Sequence, residues 1–323
     1  MIVIRTQEAA GFTETSTVSK GCWIDARNVT KADMVRLEHE FGIAGELLTD
    51  IMDADEQARI EKEDDYTAII VRLPVYDESY EISYFTLPLG IILFSDKIVT
   101  ICQQSSDALD DVLKNRIRGF NIRNKSTFVL YLLSRAAFTY LRFLKELNKK
   151  INAIERDLQR SIKNNELIQL LSLQKSLVYF TTSIKTNELL LEKLQKSPLI
   201  RFKEDEKELL EDVVTENKQA IEMANIYSSI LTGTMDAFAS VISNNLNIVM
   251  KRLTVVSIVL MIPTLIFSYY GMNVNLPFAG HAFAGLGILA MSVVISAMGA
   301  ILLNTGRRRK KLAAKVLPYS LGA

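Results

Sequence analysis

From Leu253 to Gly306 the chain contains no Asp, Glu, Lys or Arg. A soluble core of this size rarely excludes charge over so long a stretch, whereas a bilayer requires it. Within it, Leu253–Tyr270 and Phe283–Leu303 are two mostly apolar runs. At 1.5 Å per residue they make helices of about 27 and 31 Å, close to the hydrocarbon thickness. The competing reading, a helical hairpin buried in a soluble core, would need that apolar surface covered by protein.

The surrounding charges orient these segments. Lys251-Arg252 precede the first run, and Arg307–Lys311 follow the second. The linker between them carries no base. The positive-inside rule therefore predicts two membrane spans with both outer flanks in the cytoplasm and 271–282 outside. Before Leu253 stand 32 of the 38 bases and all 37 acids, a formal −5. That mildly acidic part predicts a cytoplasmic domain and argues against a nucleic-acid partner, which requires clustered cations. Cys22 and Cys102 lack CxxC spacing, and His39 and His281 are the only histidines. No Cys/His zinc cluster, disulfide framework or export signal is expected.

The first 120 residues read as an α/β sheet domain of mixed topology. Strands are predicted over 66–76 (YTAIIVRLPVY) and 89–104, the latter broken by a Ser-Asp-Lys turn. Helices are predicted over Asp33–Leu48 and Asp107–Arg118. Phosphate-loop motifs GxGxxG and GxxxxGK[ST] are absent, as is any Ser/His/Asp or Cys/His constellation, so no enzymatic role is expected. From Ser126 to Ser197 neither proline nor glycine occurs, and Asn164-Asn165 divide the segment into two antiparallel helices. Ser197-Pro198 ends the hairpin. From Lys203 a single helix is predicted to run about 60 residues into the first span, a length that suggests coiled-coil or bundle association. The expected organisation is thus a sheet domain (1–120), a helical hairpin (121–202), a stalk helix (203–252), a first span (253–270), an external loop (271–282), a second span (283–303) and a basic cytoplasmic tail (304–323).

Along the first span and its approach, Asn247, Met250, Thr254, Ser257, Met261, Thr264 and Ser268 recur in alternating steps of three and four. A 3.5-residue period marks the seam of a left-handed coiled arrangement. One reading makes the stripe a helix–helix packing seam, since small and hydroxylated residues serve that role in lipid. The other surrounds a pore with several copies of the helix, the stripe facing ions and water. The stripe holds no carboxylate. It therefore suits an ion contacted through its water shell, as Mg2+ is, because Mg2+ dehydrates reluctantly. A ring of Met261 or Leu253 would form an apolar constriction able to gate by dewetting.

Tyr270-Gly271-Met272-Asn273 closes the first span, and SNNLNIVMKRLT (243–254) leads into it. With the basic tail, this combination resembles the CorA-type magnesium transporters, the two-span GMN proteins. Similarity extends to 50–76, to TLPLGIILFSDKIVTI (86–101) and to GTMDAFASVISNNLN (233–247). The resemblance implies an α+β cytoplasmic domain, a long stalk helix and two C-terminal transmembrane helices, assembled as a homopentameric funnel in the cell (inner) membrane. The implied partners are further copies of the chain, membrane lipid and divalent cations; no cofactor is implied beyond transported and regulatory Mg2+. Gly271, Met272 and Asn273 would capture the hydrated cation at the outer mouth, and Asn247, Leu253 and Met261 would occupy pore constrictions. Asp212, with Glu216 one turn away, matches a stalk acid through which intracellular Mg2+ would hold the pore shut; Asp50, Asp53 and Asp55 are available acids in the other domain. The loop after the GMN residues has no acid, and His281 is its only titratable group, so Zn2+, Co2+ or Ni2+ stands as an alternative cargo. A non-conducting membrane-anchored sensor or scaffold is the alternative from a different class.

Overall fold

The computed structural model describes residues 1–8, 11–114, 122–160, 164–200, 202–272 and 283–316. In chain order they form β1 (Ile2–Glu8), β2 (Gly11–Thr15), β3 (Cys22–Arg27), α1 (Lys31–Phe41), α2 (Gly45–Ile51), β4 (Arg59–Lys62), β5 (Tyr66–Tyr76), β6 (Tyr84–Phe94), β7 (Lys97–Cys102) and α3 (Asp107–Leu113). Four long helices follow: α4 (Lys125–Arg160), α5 (Asn164–Lys196), α6 (Glu204–Tyr270) and α7 (Ala284–Val316). The strands make one sheet in the order β2-β1-β3-β7-β6-β5-β4. Every pairing is antiparallel except β3 with β7, where Cys22 faces Lys97 and Arg27 faces Cys102. The mixed topology expected from the sequence is present.

The central strands are apolar along their whole length because both faces of the sheet are covered. Ile69, Val71 and Leu73 of β5 join Leu89, Ile91 and Trp23 on the face packed by α3, α4 and α5. Ala68 and Ile70 join Ile24, Ile92 and Val99 on the other face, against α1 and α2. Arg72 interrupts this pattern and is nonetheless buried. β4 begins only at Arg59, opposite Ile70, and so leaves Arg72 unpaired on that side, where the Asn187 amide of α5 takes its place: Oδ1 accepts from Arg72 N at 2.9 Å and Nδ2 donates to Arg72 O at 2.8 Å. The guanidinium donates to Ser183 Oγ, to the carbonyls of Ala54 and Glu56, and to Thr86. A buried cation is tolerable when its donors are met in this way.

The helix expected over 33–48 is instead two. Thr30 caps α1 in a box with Asp33, and Gly42 ends it at φ 73°, a left-handed conformation that glycine adopts without steric penalty. The chain then re-enters helix as α2. α3 is described over Asp107–Leu113, and the remainder of the helix expected to Arg118 lies, beyond Lys114, outside the described residues. α4 and α5 run antiparallel: Tyr140 and Phe143 of α4 meet Phe180 of α5. Nearer the start of α4, Phe128 to Leu133 share a cluster with Leu190, Leu191 and Leu194.

α6 starts at a buried acid. Glu206, 4% exposed, accepts hydrogen bonds at Oε1 from Asn124 Nδ2 (2.6 Å), Ser126 Oγ (2.8 Å) and Thr127 Oγ1 (2.6 Å). Its Oε2 accepts from the Lys203 backbone N–H at 2.8 Å. The carboxylate thus lies at the N-terminus of α4, where the helix dipole favours negative charge. Burial works to raise its pKa, but the bonds from Thr127, Lys203, Ser126 and Asn124 together hold it below the ordinary glutamate value. α6 is 67 residues long and runs from Glu204, through Pro263, to Tyr270. The chain divides into two compact units, Met1–Asp236 and Ala237–Ala323.

Replacing Glu206 by Gln removes a charge whose folded-state pKa is depressed. Its contribution is present above the unfolded pKa of about 4.3 and fades as pH falls through the folded value. We expect Glu206→Gln to destabilise the first unit by roughly 2 kcal/mol at neutral pH. The difference from the wild type should shrink on titration below pH ~4. Thermal unfolding of the detergent-solubilised protein followed across pH measures both.

Candidate ion-conduction site

Within the second unit, α6 and the Gly285–Leu302 part of α7 are long and apolar enough to cross a membrane. Their large side chains are mostly exposed, including Leu253, Leu260, Leu265, Phe267, Leu286, Val294 and Leu302. This is not the covered surface that a hairpin in a soluble core would show, and lipid is the solvent that accepts it.

The two helices meet on one narrow face. On α6 the half-buried positions of the span are Val255, Val259, Ile262, Pro263, Ile266 and Tyr270. On α7 the covered positions are Ile288, Ser292, Ser296, Gly299 and Ala300. A Cβ on Gly299 would lie 3.2 Å from Ile262 Cδ1. Small residues at such spacing let two helices approach closely in lipid. This seam was not recognised in the sequence, although Ser292, Ser296 and Gly299 already carried the small-residue spacing.

The polar stripe lies elsewhere. At 100° per residue its seven members centre about 160° away from the α7-facing side of α6. Asn247, Met250, Thr254, Ser257, Met261, Thr264 and Ser268 are all exposed. Leu253 is exposed too and flanks the stripe. The stripe is therefore not the packing seam between the two spans of one chain. Three of its hydroxyls donate to the carbonyl four residues back: Thr254 to Met250 (2.9 Å), Ser257 to Leu253 (3.0 Å) and Thr264 to Leu260 (2.9 Å). With their hydrogens so committed, these oxygens present only lone pairs outward. Waters around a cation point their hydrogens outward and need acceptors of this kind.

Past Tyr270 the helix ends with Gly271 N–H donating to Phe267 O at 2.9 Å and Met272 N–H to Tyr269 O at 3.4 Å. Both Gly271 and Met272 are exposed. Asn273 and His281 lie outside the described residues, as do the side chains of the basic segment Arg307–Lys311. α7 remains helical to Val316, well past the expected end of the second span at Leu303.

The two stalk acids of the first unit differ in environment. Asp212 is exposed. Glu216 is half-buried and accepts from Ser134 Oγ of α4 at 3.4 Å. Burial raises its pKa, with Asp212 adding to the rise, while the Ser134 bond and the Arg135 charge oppose it. Glu216 thus already serves a contact between α4 and α6, whereas Asp212 is open to solvent. Asp50 is ion-paired with Arg59 at 2.6 Å, and Asp53 accepts from Asp55 N at 2.9 Å. Among the described residues of this single chain, no three His, Cys, Asp or Glu side chains are grouped to hold a metal.

The seam makes a direct prediction. Gly299→Leu should force α6 and α7 apart and destabilise the second unit by about 1–3 kcal/mol, while Gly299→Ala displaces only the flexible end of Ile262. Thermal stability of both variants in detergent checks the order.

A family model described as "CorA-like Mg2+ transporter protein" matches residues 19–309. Among curated proteins, the chain is 28% identical over 278 residues to the "Cobalt/magnesium transport protein CorA" of Methanocaldococcus jannaschii, covering 84% of this chain and 86% of that one. The complete structure of the CorA magnesium transporter from the same organism superposes with a TM-score of 0.78 at 24% identity, over 94% of this chain and 96% of that one. The cytoplasmic domain of ZntB from Vibrio parahaemolyticus is similar in fold, with a TM-score of 0.56 at 12% identity over 76% of this chain and 97% of that one.

Proposed function

The chain belongs to the CorA-like Mg2+ transporter family, and on that premise we propose that it carries Mg2+ into the cell down its electrochemical gradient through a pore lined by α6. The observation that carries this reading is the stripe of exposed acceptor groups on the side of α6 turned away from α7. Because each chain contributes one such stripe, a pore needs several copies, and the family resemblance supplies a homopentamer. Both termini would lie in the cytoplasm, with the short connection between the spans outside.

In this reading Gly271, Met272 and Asn273 form the outer mouth, where the Asn273 amide and the Gly271 carbonyl contact the water shell of the arriving ion. Asn247, Thr254, Ser257, Thr264 and Ser268 continue those contacts along the helix. Met250, Leu253 and Met261 are the apolar positions at which the column of water can be broken. A membrane potential of 100 mV, inside negative, favours entry of a divalent ion by about 4.6 kcal/mol, so no nucleotide site is needed. Intracellular Mg2+ bound at Asp212 would hold the pore closed; the hydrogen bond from Ser134 makes Glu216 the weaker candidate for that role. The zinc alternative is not favoured. The named relative is a cobalt/magnesium transport protein, and the likeness to the ZntB domain, at 12% identity, concerns fold alone.

Ion uptake into proteoliposomes tests the proposal. Mg2+ should enter on imposition of an inside-negative potential; absence of flux from a correctly assembled oligomer would favour a non-conducting sensor instead. Asn273→Ala should lower initial uptake roughly tenfold, the worth of about one charge-assisted hydrogen bond. Asp212→Ala should raise the internal Mg2+ concentration that halves the flux severalfold, and an unchanged inhibition curve would remove Asp212 from the sensor.

A further inference from the structure

A single methyl group occupies the space that Gly299 leaves on α7. Glycine inside a helix is less favourable than alanine, and it is kept where a neighbour needs the room. At Gly285 and Gly287, nearer the start of α7, an added Cβ would meet nothing within 4 Å. At Gly299 it would lie 3.2 Å from Ile262 Cδ1, the only atom of α6 so close. The gap on one helix is thus matched to the end of one side chain on the other.

This contact falls on a turn of α6 that lacks a backbone bond. Pro263 has no N–H, so the Val259 carbonyl goes without the hydrogen bond that an ordinary residue four positions on would donate. Met261 and Ile262 lie within that turn. Where the ladder is interrupted, neighbouring side chains decide the local bend that the backbone leaves open. Consecutive side chains leave a helix about 100° apart. Ile262 is half-buried on the α7 side, whereas Met261 is 67% exposed on the polar stripe. Seating Ile262 on α7 therefore fixes the direction of Met261. Because the stripe lies nearly opposite the seam, a push on α6 from α7 carries Met261 toward the stripe side.

We propose that Gly299 is a positioning residue for the constriction at Met261: the space on α7 that receives Ile262 Cδ1 sets how far α6, in its proline-interrupted turn, carries Met261 into the pore. The inference rests on the reading that the stripe lines a pore. It gives the second span a part in conduction without any contact with the ion. A methyl added at position 299 presses Ile262, and α6 with it, away from α7. The ring of Met261 side chains then narrows, and the column of water breaks there more readily. The same methyl fits without displacement when Ile262 loses its Cδ1, which is the atom that Ile262→Val removes.

Mg2+ uptake by the full-length protein in proteoliposomes, under an inside-negative potential, provides the test, with the thermal midpoint in detergent as a parallel readout. Gly299→Ala should lower the initial rate severalfold and leave the midpoint close to that of the wild type. Ile262→Val added to Gly299→Ala should bring the rate back near the wild-type value, a compensation that a general loosening of the seam would not produce. In a Met261→Ala background the constriction is gone, and Gly299→Ala should have little further effect. A rate unchanged by Gly299→Ala, a loss that Ile262→Val does not restore, or an equal loss in the Met261→Ala background each overturns the proposal. A rate that merely follows the midpoint across the variants does so too, leaving Gly299 a packing role alone. Absence of uptake by the wild type refutes the pore reading itself, and this inference with it.

Discussion

Glu206 fixes where the longest element of the protein begins. A carboxylate with so little exposure is costly unless its lone pairs are filled, and here three side-chain donors and one backbone donor fill them. Two helix starts share this one group: the first turn of α4 through Asn124, Ser126 and Thr127, and the approach to α6 through Lys203. The origin of a 67-residue helix is thereby tied to a helix that also packs on the sheet. The register of the α6 residues that follow Glu206 within the first unit, including Asp212, follows from the tie.

Arg72 plays a comparable part inside the sheet domain. Its backbone ends one ladder and begins an interaction with α5, while its side chain holds the segment that carries Asp53, Asp55 and Glu56. Neither Glu206 nor Arg72 was legible in the sequence. Each looks like an ordinary charged residue until distant positions, Asn124 and Ser126 in one case and Asn187 and Ser183 in the other, are brought beside it. Local pattern carries no information about such pairings.

What was legible was periodic. The strand over 66–76 appears with its expected bounds because its β-branched and aromatic run is long and both its faces are buried. The long helix and its entry into an apolar segment were visible as an absence of breakers. The polar stripe was visible as a 3.5-residue period, but its direction was not: the side of α6 that meets α7 is set by Ile262 against Gly299, which only the packed helices reveal. The single helix read over 33–48 failed at Gly42, where one left-handed residue redirects the chain. Strands β1 to β3 are short, and the parallel alignment of β3 with β7 joins residues 75 positions apart (Cys22 with Lys97), beyond any local signal.

In the proposed pore, the hydroxyl pattern on α6 would bear on the sign of the charge that passes. Thr254, Ser257 and Thr264 have spent their only hydrogens on the helix backbone. An anion, whose hydration waters point oxygen outward, would find few donors along this surface and would lose solvation on entering. A cation keeps its shell and gains acceptors for it. Were α6 to line the proposed pore, hydrogen-bond polarity alone would bias its wall toward positive ions without placing a single charged residue in the membrane.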